Sequence, residues 1–288
     1  MPKKADHKER PVKLLLDWYP NPVHIPLYAG KELGFFQEEG IDLEMLKLLE
    51  PPSSIPYLLS GKVDVALYYA PQFLRAKSRI PSVHIIGKLI DQPLQGFCFL
   101  EDANIQSFKD FDQKRIGGPP DGANAKILQK VQEKNHIQIK DFKAVHFDLI
   151  TALLLKEVDI VSGIFWNIEP VKIESVGKKA GYFSWSDLGC PSYPELIFLS
   201  DERFVKQRPD FEKRFLRALQ KSIDFARENP ENAFALYVKA LPEKDQAKFR
   251  SWERKAWHQT IPLLPKEQNS EEERMQALAD WMKELGIF

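Results

Sequence analysis

The chain has 288 residues, enough to bury a sizeable core and to divide into two domains. Its 41 Lys and Arg balance 41 Asp and Glu, which implies no basic face for nucleic acid. No run of ~20 apolar residues is present to span a bilayer, and Cys98 and Cys190 match no metal-ligand or redox spacing, so they read as packed thiols.

The first ten residues are polar, with a basic start but neither an apolar core nor a small-residue cleavage site, and are expected to be disordered. That start fits either a cytoplasmic chain or a mature export product whose signal has been replaced by Met. The apolar run Leu14-Leu15-Leu16 then reads as a buried strand that stops at Asp17. Pro20 and Pro22 forbid both continued strand and immediate helix, and an apolar pattern beyond Pro26 predicts a helix ending near Gly34. The strand thus delivers Asp17, Trp18, Tyr19, Asn21 and His24 to a sheet edge, where open α/β folds bind ligands. An aromatic pair beside short polar groups suits a flat ring; a turn whose Trp packs into the core is the plainer reading.

Ile41 to Leu46 alternates as a second strand, Ser53 or Ser54 is placed to cap a short helix through Leu59, and Val63 to Leu67 is the next strand. That strand runs into Tyr68 and Tyr69, a second candidate stacking surface, and Pro71 opens a helix. His84–Ile90 and Gln95–Leu100 follow as strands, the latter entering a second lobe. After a short helix at Ser107–Phe111 and a strand at Arg115-Ile116, Gly117 to Asn124 forms a glycine–proline turn before a helix. Its backbone N–H groups, near Gly118, can meet a ligand oxygen, but the spacing is that of neither a dinucleotide fingerprint nor a P-loop. An ordinary strand-to-helix turn is at least as good a reading.

Phe142–Phe147 is expected as a strand, Leu149–Leu155 as a short helix, and Asp159–Ile164 as a strand ending at Phe165, Trp166 and Asn167. Gly181–Ser186 is a further strand. A proline-punctuated loop, Leu188 to Glu195, then carries Tyr193 and Glu195 into the strand Leu196–Leu199, which returns to the first lobe. From Asp201 onward the pattern is helical, with an amphipathic helix opened by Pro209 and later helices bearing Trp252, Trp257 and Trp281. Strands alternating with helices, then a helical tail, predict an α/β fold in two lobes: residues 11–97 with 198–288, and 98–197, behind the 1–10 tail.

Asp17-Trp-Tyr-Pro-Asn-Pro-Val-His-Ile-Pro26, Gly34-Phe-Phe-Gln-Glu-Glu-Gly-Ile-Asp42 and Leu59-Ser-Gly-Lys-Val-Asp64 resemble one family. It contains bacterial binding proteins for thiamine-pyrimidine precursors and the fungal enzyme that makes the thiamine pyrimidine. The resemblance covers most of residues 12 to 240. It implies the type II periplasmic-binding-protein fold, with two α/β lobes closing on a small ligand. The fungal enzyme uses a lysine-bound pyridoxal phosphate and a histidine of its own; here those places hold Tyr68 and Gln72, which can neither form a Schiff base nor donate an imidazole. Of the enzyme's iron-binding cysteine cluster only Cys190 remains. The resemblance therefore implies a receptor without catalytic residues, metal or cofactor. In such a receptor Tyr193 and Glu195 would contact an aminopyrimidine, Trp18 with Tyr68 or Tyr69 would sandwich the ring, and Asn21 or Asn167 would meet its other edge. The implied protein is the monomeric, extracytoplasmic solute-binding component of an ABC transporter. It would capture formylaminopyrimidine or hydroxymethylpyrimidine for a permease, with no nucleic-acid partner. A cytoplasmic synthase relative, or a same-fold receptor for riboflavin or a sulfonate, is the alternative.

Overall fold

The structure, a computed structural model, describes residues 10–47, 54–120, 122–145, 148–243 and 251–288. Residues 1–9 of the tail expected to be disordered, the Ser53 cap, Asp121 of the glycine–proline turn, and His146 and Phe147 lie outside the described residues, whereas Arg10, expected in that tail, is held by two bonds to Asp64 at 2.7 and 2.8 Å. No helix among those residues is long and apolar enough to cross a membrane. The chain is α/β throughout, with two five-stranded mixed sheets and many helices.

Two compact units form: Met1–Leu89 with Leu196–Pro242 and Leu264–Asn269, and Ile90–Glu195 with Glu243–Leu263 and Ser270–Phe288. The transitions expected near residues 97 and 197 thus fall at 89/90 and 195/196. The C-terminal helices expected in the first lobe divide instead, and the reason is packing. Helix Trp252–Thr260 lies against helix Glu169–Ser175, with Lys255 paired to Glu174 and the Lys172 ammonium 5.0 Å from the Trp252 ring centre. Trp281 on helix Glu272–Glu284 meets the buried Trp185, ring centres 6.2 Å apart.

The first unit is built on β1 (Val12–Leu15), β2 (Leu43–Leu46), β3 (Val65–Tyr69), β4 (Val83–Ile90) and a later strand, Leu196–Asp201. They lie in the order β2, β1, β3, Leu196–Asp201, β4. β1 pairs in parallel with β2 and β3, whereas Leu196–Asp201 runs antiparallel to β3, with Leu196 opposite Tyr69. Helix Phe211–Glu228 buries Phe211, Phe215, Leu219, Ile223 and Ala226 along one face, the spacing of an amphipathic helix. Phe215 meets Phe36 and Phe198 at 5.9 and 5.2 Å. A side chain at Gly30 would lie 1.8 Å from Ser222 Oγ, so glycine is what lets this helix approach helix Ile25–Glu32. Pro209 does not open the long helix as expected; Asp210 in the left-handed region caps it and the helix begins at Phe211.

Asp201 closes the last strand of this sheet. Arg203 grips it through Nε and an Nη at 2.8 and 2.9 Å, and Ser82 Oγ donates to it at 2.9 Å. These partners, with the Arg203 hydrogen bond the largest influence, hold its pKa down at about 2 against the ordinary 3.8. A depressed acid stabilises the fold above its unfolded pKa and loses that contribution as pH falls through its folded value. Asp201→Asn is therefore expected to lower unfolding free energy by about 1 to 2 kcal/mol at neutral pH, discounted because Arg203 is exposed. The gap from the unaltered protein should shrink between pH 4 and 2, as read by denaturant titration at each pH. A gap constant with pH would show that the charge is not what stabilises this end of the strand.

The second unit is built on β5 (Gln95–Leu100), β6 (Arg115–Gly118), β7 (Asp141–Ala144), β8 (Ile160–Phe165) and β9 (Ala180–Ser184), in the order β7, β6, β8, β5, β9. With Leu196–Asp201 numbered β10, the chain has ten strands among the described residues. β6 is parallel to β7 and β8, while β5 runs antiparallel to β8 and β9, with an irregular register between Gly96 and Phe97. The strand expected over Gly181–Ser186 ends at Ser184, where the Ser184–Asp187 capping box turns the chain into a 3-10 helix. The strand expected over Phe142–Phe147 pairs only through Ala144 among described residues. Cys98 and Cys190 are free and buried, and burial raises both thiol pKa values well above the ordinary range.

Candidate functional site

In the first unit, β1 and the residue after it deliver Asp17 to the carboxyl end of the sheet, beside the end of β3. Pro22, expected to forbid an immediate helix, instead occupies the first position of a 3-10 turn, Pro22–His24, where its missing N–H costs nothing. Asn21 caps that turn: its Oδ1 accepts from Val23 N–H at 3.0 Å, and its amide Nδ2 donates to the Tyr19 carbonyl at 3.1 Å. The Asn21 side chain thus has a local job at both ends.

His24 is fully buried, and both ring nitrogens are engaged. Its Nδ1 accepts the Asn21 backbone N–H at 3.2 Å, so Nε2 carries the ring proton and donates it to Asp17 Oδ1 at 2.8 Å. Tyr69 donates its hydroxyl proton to the other oxygen, Oδ2, also at 2.8 Å. Asp17 therefore sits buried between two donors, and His24 acts on its orientation from behind. Of the adjacent tyrosines, Tyr68 is buried and Tyr69 part-exposed, with ring centres 6.2 Å apart and planes tilted by 38°. Trp18 is part-exposed and meets the outward Tyr19 edge-on at 5.8 Å.

In the second unit, the segment entering β5 ties several expected residues together. Glu195 is fully buried and its carboxylate accepts three hydrogen bonds: from Leu94 N–H at 2.9 Å, from Gln95 Nε2 at 2.9 Å, and from the Tyr193 hydroxyl at 2.8 Å. Burial pushes the Glu195 pKa up, and the three donors only partly counter it. Burial likewise holds the Tyr193 phenol well above its ordinary value, with the Glu195 charge adding to the effect. The same entering segment meets Trp166, whose indole Nε1 donates to the Pro93 carbonyl at 3.0 Å and whose backbone N–H donates to Leu94 O at 3.1 Å. Asn167 is buried beside it. Its Nδ2 donates to Thr260 Oγ1, which itself donates to Ala256 O, each at 2.8 Å. That chain fixes the amide orientation and leaves Asn167 Oδ1 buried with no donor among the described residues.

The Trp166 ring also stacks on Tyr182, planes 13° apart and centres 5.9 Å apart, at a groove of about 350 Å³ with Pro170, Val171, Gln259 and Pro262. Gly118 lies apart from the Glu195 cluster in these contacts. Its carbonyl accepts Val145 N–H, and a side chain at Gly118 would sit 3.2 Å from Ser162, which bonds Asn124 at 2.8 Å. The glycine–proline turn thus brings backbone against β8.

Gln95 and Thr260 were not anticipated. Gln95 had a signal, a single polar residue leading the apolar strand Gly96–Leu100. Thr260 had none, because it reaches Asn167 from a helix far along the chain. Within three residues of Tyr69, Gln72 keeps a buried Oε1 that no described donor reaches.

A family model described as "NMT1/THI5 like" matches residues 21–233. The chain belongs to the NMT1/THI5-like family. Among its relatives is the formylaminopyrimidine-binding protein of Halalkalibacterium halodurans, 31% identical over 243 residues, 83% of this chain and 72% of that one. Another is the 4-amino-5-hydroxymethyl-2-methylpyrimidine phosphate synthase of Legionella pneumophila, 31% identical over 81% of this chain and 74% of the synthase. This NMT1/THI5-like chain thus has curated relatives that are binding proteins and relatives that are synthases. Its fold is that of periplasmic binding proteins: the alkanesulfonate-binding protein SsuA of Xanthomonas axonopodis, bound to MOPS, superposes with a TM-score of 0.70 at 14% identity, over 96% of this chain and 93% of SsuA.

Proposed function

We propose that the protein is the solute-binding component of an ABC importer and captures a thiamine pyrimidine precursor of the formylaminopyrimidine or hydroxymethylpyrimidine type. The observation that carries this reading is Glu195: a buried carboxylate, oriented by three donors, next in sequence to Leu196 and linked through Leu94 to Trp166. A carboxylate so held can accept from an exocyclic amine or share a proton with a ring nitrogen of an aminopyrimidine. Trp166, Asn167 and Tyr193 in the second unit, and Trp18, Tyr68 and Tyr69 in the first, are the remaining proposed contacts. Asp17, Asn21 and His24 support the first set from within the loop. The family membership, the 31% identical formylaminopyrimidine-binding relative and the periplasmic-binding-protein fold support the same reading. On it, the protein works outside the cytoplasm as a monomer that hands its cargo to a permease.

The synthase relatives support a second reading, a pyrimidine synthase-like enzyme. Tyr68 and Gln72 weigh against it, since neither side chain supplies an amine for a Schiff base or an imidazole.

Thermal unfolding of the purified protein separates these readings. A ligand that binds only the folded state raises Tm once its concentration passes its Kd, contributing about 2.7 kcal/mol at a hundredfold excess. Formylaminopyrimidine or hydroxymethylpyrimidine is expected to raise Tm, whereas thiamine, riboflavin, pyridoxal phosphate and taurine are expected to leave it unchanged. Stabilisation by pyridoxal phosphate alone would instead favour the synthase. Riboflavin or taurine alone would keep the fold and change the cargo.

A further inference from the structure

The Asp17 cluster fixes where one proton points. Asn21 N–H occupies His24 Nδ1, so the His24 ring proton lies on Nε2 and is given to Asp17 Oδ1. The second carboxylate oxygen takes the hydroxyl proton of Tyr69 at 2.8 Å. A phenolic hydroxyl has a single proton to donate, and a carboxylate only accepts. With that proton held by Asp17, whatever else approaches the Tyr69 oxygen must bring its own hydrogen. Tyr69 is also the part-exposed member of the tyrosine pair. A second acceptor on the next helix, the buried Gln72 Oε1, has no donor among the described residues.

We infer that Tyr69 is a specificity-determining acceptor whose hydroxyl oxygen, locked in polarity by Asp17 and His24, selects ligands that present an N–H donor. The inference rests on the proposed pyrimidine cargo for the ring and names the group this strand end would read: an exocyclic amine. Where a ligand offers an ether or carbonyl oxygen instead, two lone-pair surfaces face each other and a buried acceptor goes unmatched, which is the arrangement polar sites reject most strongly.

The lock also dictates how it can be inverted. In Asp17→Asn, the His24 Nε2–H still requires an acceptor, so the amide Oδ1 turns towards His24 and Nδ2 towards Tyr69. The amide then donates to the Tyr69 oxygen, and the hydroxyl proton is released to point at the ligand. Tyr69→Phe removes the oxygen altogether.

The test is titration calorimetry of the full chain with 4-amino-5-hydroxymethyl-2-methylpyrimidine and its 4-methoxy counterpart, which keeps the ring and lacks the donor. The unaltered protein is expected to favour the amine. The amine-over-methoxy ratio should fall about tenfold or more in Tyr69→Phe, and further or into reversal in Asp17→Asn. Comparing ratios cancels the extra bulk of the methoxy group and any uniform loss from a loosened fold. A ratio unchanged in both variants would overturn the inference. In parallel, the imidazole ¹⁵N resonances of His24 in the unliganded protein read the lock without any ligand: protonated Nε2 and bare Nδ1 are expected, and a protonated Nδ1 overturns it. Should the unaltered protein bind neither pyrimidine, the cargo proposed above fails, and the His24 nitrogens alone then decide whether the acceptor polarity stands.

Discussion

Glu195→Ala should abolish the thermal stabilisation by an aminopyrimidine and also unfold at a Tm roughly 10 °C lower. The two losses have different origins. The first follows from removing the carboxylate proposed to share a proton with the ligand's ring nitrogen. The second follows from leaving three buried donors, Leu94 N–H, Gln95 Nε2 and the Tyr193 hydroxyl, without an acceptor. Each such orphan costs about 1 to 3 kcal/mol, so a loss of about 3 to 5 kcal/mol is expected even after relief from burying a charge. Glu195→Gln keeps the volume and part of the acceptor capacity and should lose less stability, yet still lose the ligand response. The pH dependence separates charge from shape. Burial raises the folded-state pKa of Glu195, so the native state holds its proton to higher pH than the unfolded chain does. Stability should therefore fall as pH rises from the ordinary carboxylate range through that folded value, and the Gln variant should lack this slope. Equal slopes in both proteins, measured by denaturant titration, would remove Glu195 as their source.

The second large effect is expected from a single methyl group. A Cβ on Gly96 would stand 2.2 Å from the Phe183 carbonyl oxygen and 3.1 Å from Ser184 Cα, both backbone atoms of the neighbouring strand β9. Backbone cannot rotate aside as a side chain can, so Gly96→Ala must push β5 from β9 or distort both. A cost of about 3 kcal/mol is expected, with a Tm lower by several degrees. Because Gln95 and Leu94 immediately precede Gly96 and both donate to Glu195, the displacement should also weaken pyrimidine affinity. Gly181→Ala is the instructive comparison. There the Cβ would meet the Phe99 ring at 2.4 Å, a side chain that can turn about its own torsions where backbone cannot. A Gly96→Ala protein as stable as the unaltered one would mean that the two strands lie farther apart than this geometry has them.

Much of this was legible from local pattern. The alternation in Ile41–Leu46, the apolar Val65–Tyr69 and the β-rich Gln95–Leu100 each specify a strand, because a side chain's face on a strand depends only on its parity. The aromatic and amide residues at the strand ends were visible for the same reason. What the pattern did not carry was partnership across the chain. Nothing local distinguishes Thr260 as the residue that orients Asn167, or Gln95 as a ligand of Glu195, since those bonds span 93 and 100 residues. His24 shows the opposite limit. Its neighbours in the Asp17 loop made it look available, but a capping bond from Asn21 and a bond to Asp17 use both nitrogens. Helical spacing likewise reveals an apolar face without saying which surface it covers, which is why helices Trp252–Thr260 and Glu272–Glu284 give no local sign that they belong to the second unit.

The order of strands has a consequence for how the protein is made. β10 lies between β3 and β4 in the first sheet, although residues 91–195 are synthesised between β4 and β10. As the chain emerges from the ribosome, β4 therefore waits with no neighbour on its β3 side until that whole insertion has appeared. The insertion cannot finish either, because its own unit includes Glu243–Leu263 and Ser270–Phe288. Such long-range pairings are slow to form and leave strand edges open meanwhile. Completion of the first sheet thus waits for residue 196 and beyond, and completion of the second unit for residues after 243, so chains released before residue 196 are expected to keep an open strand edge.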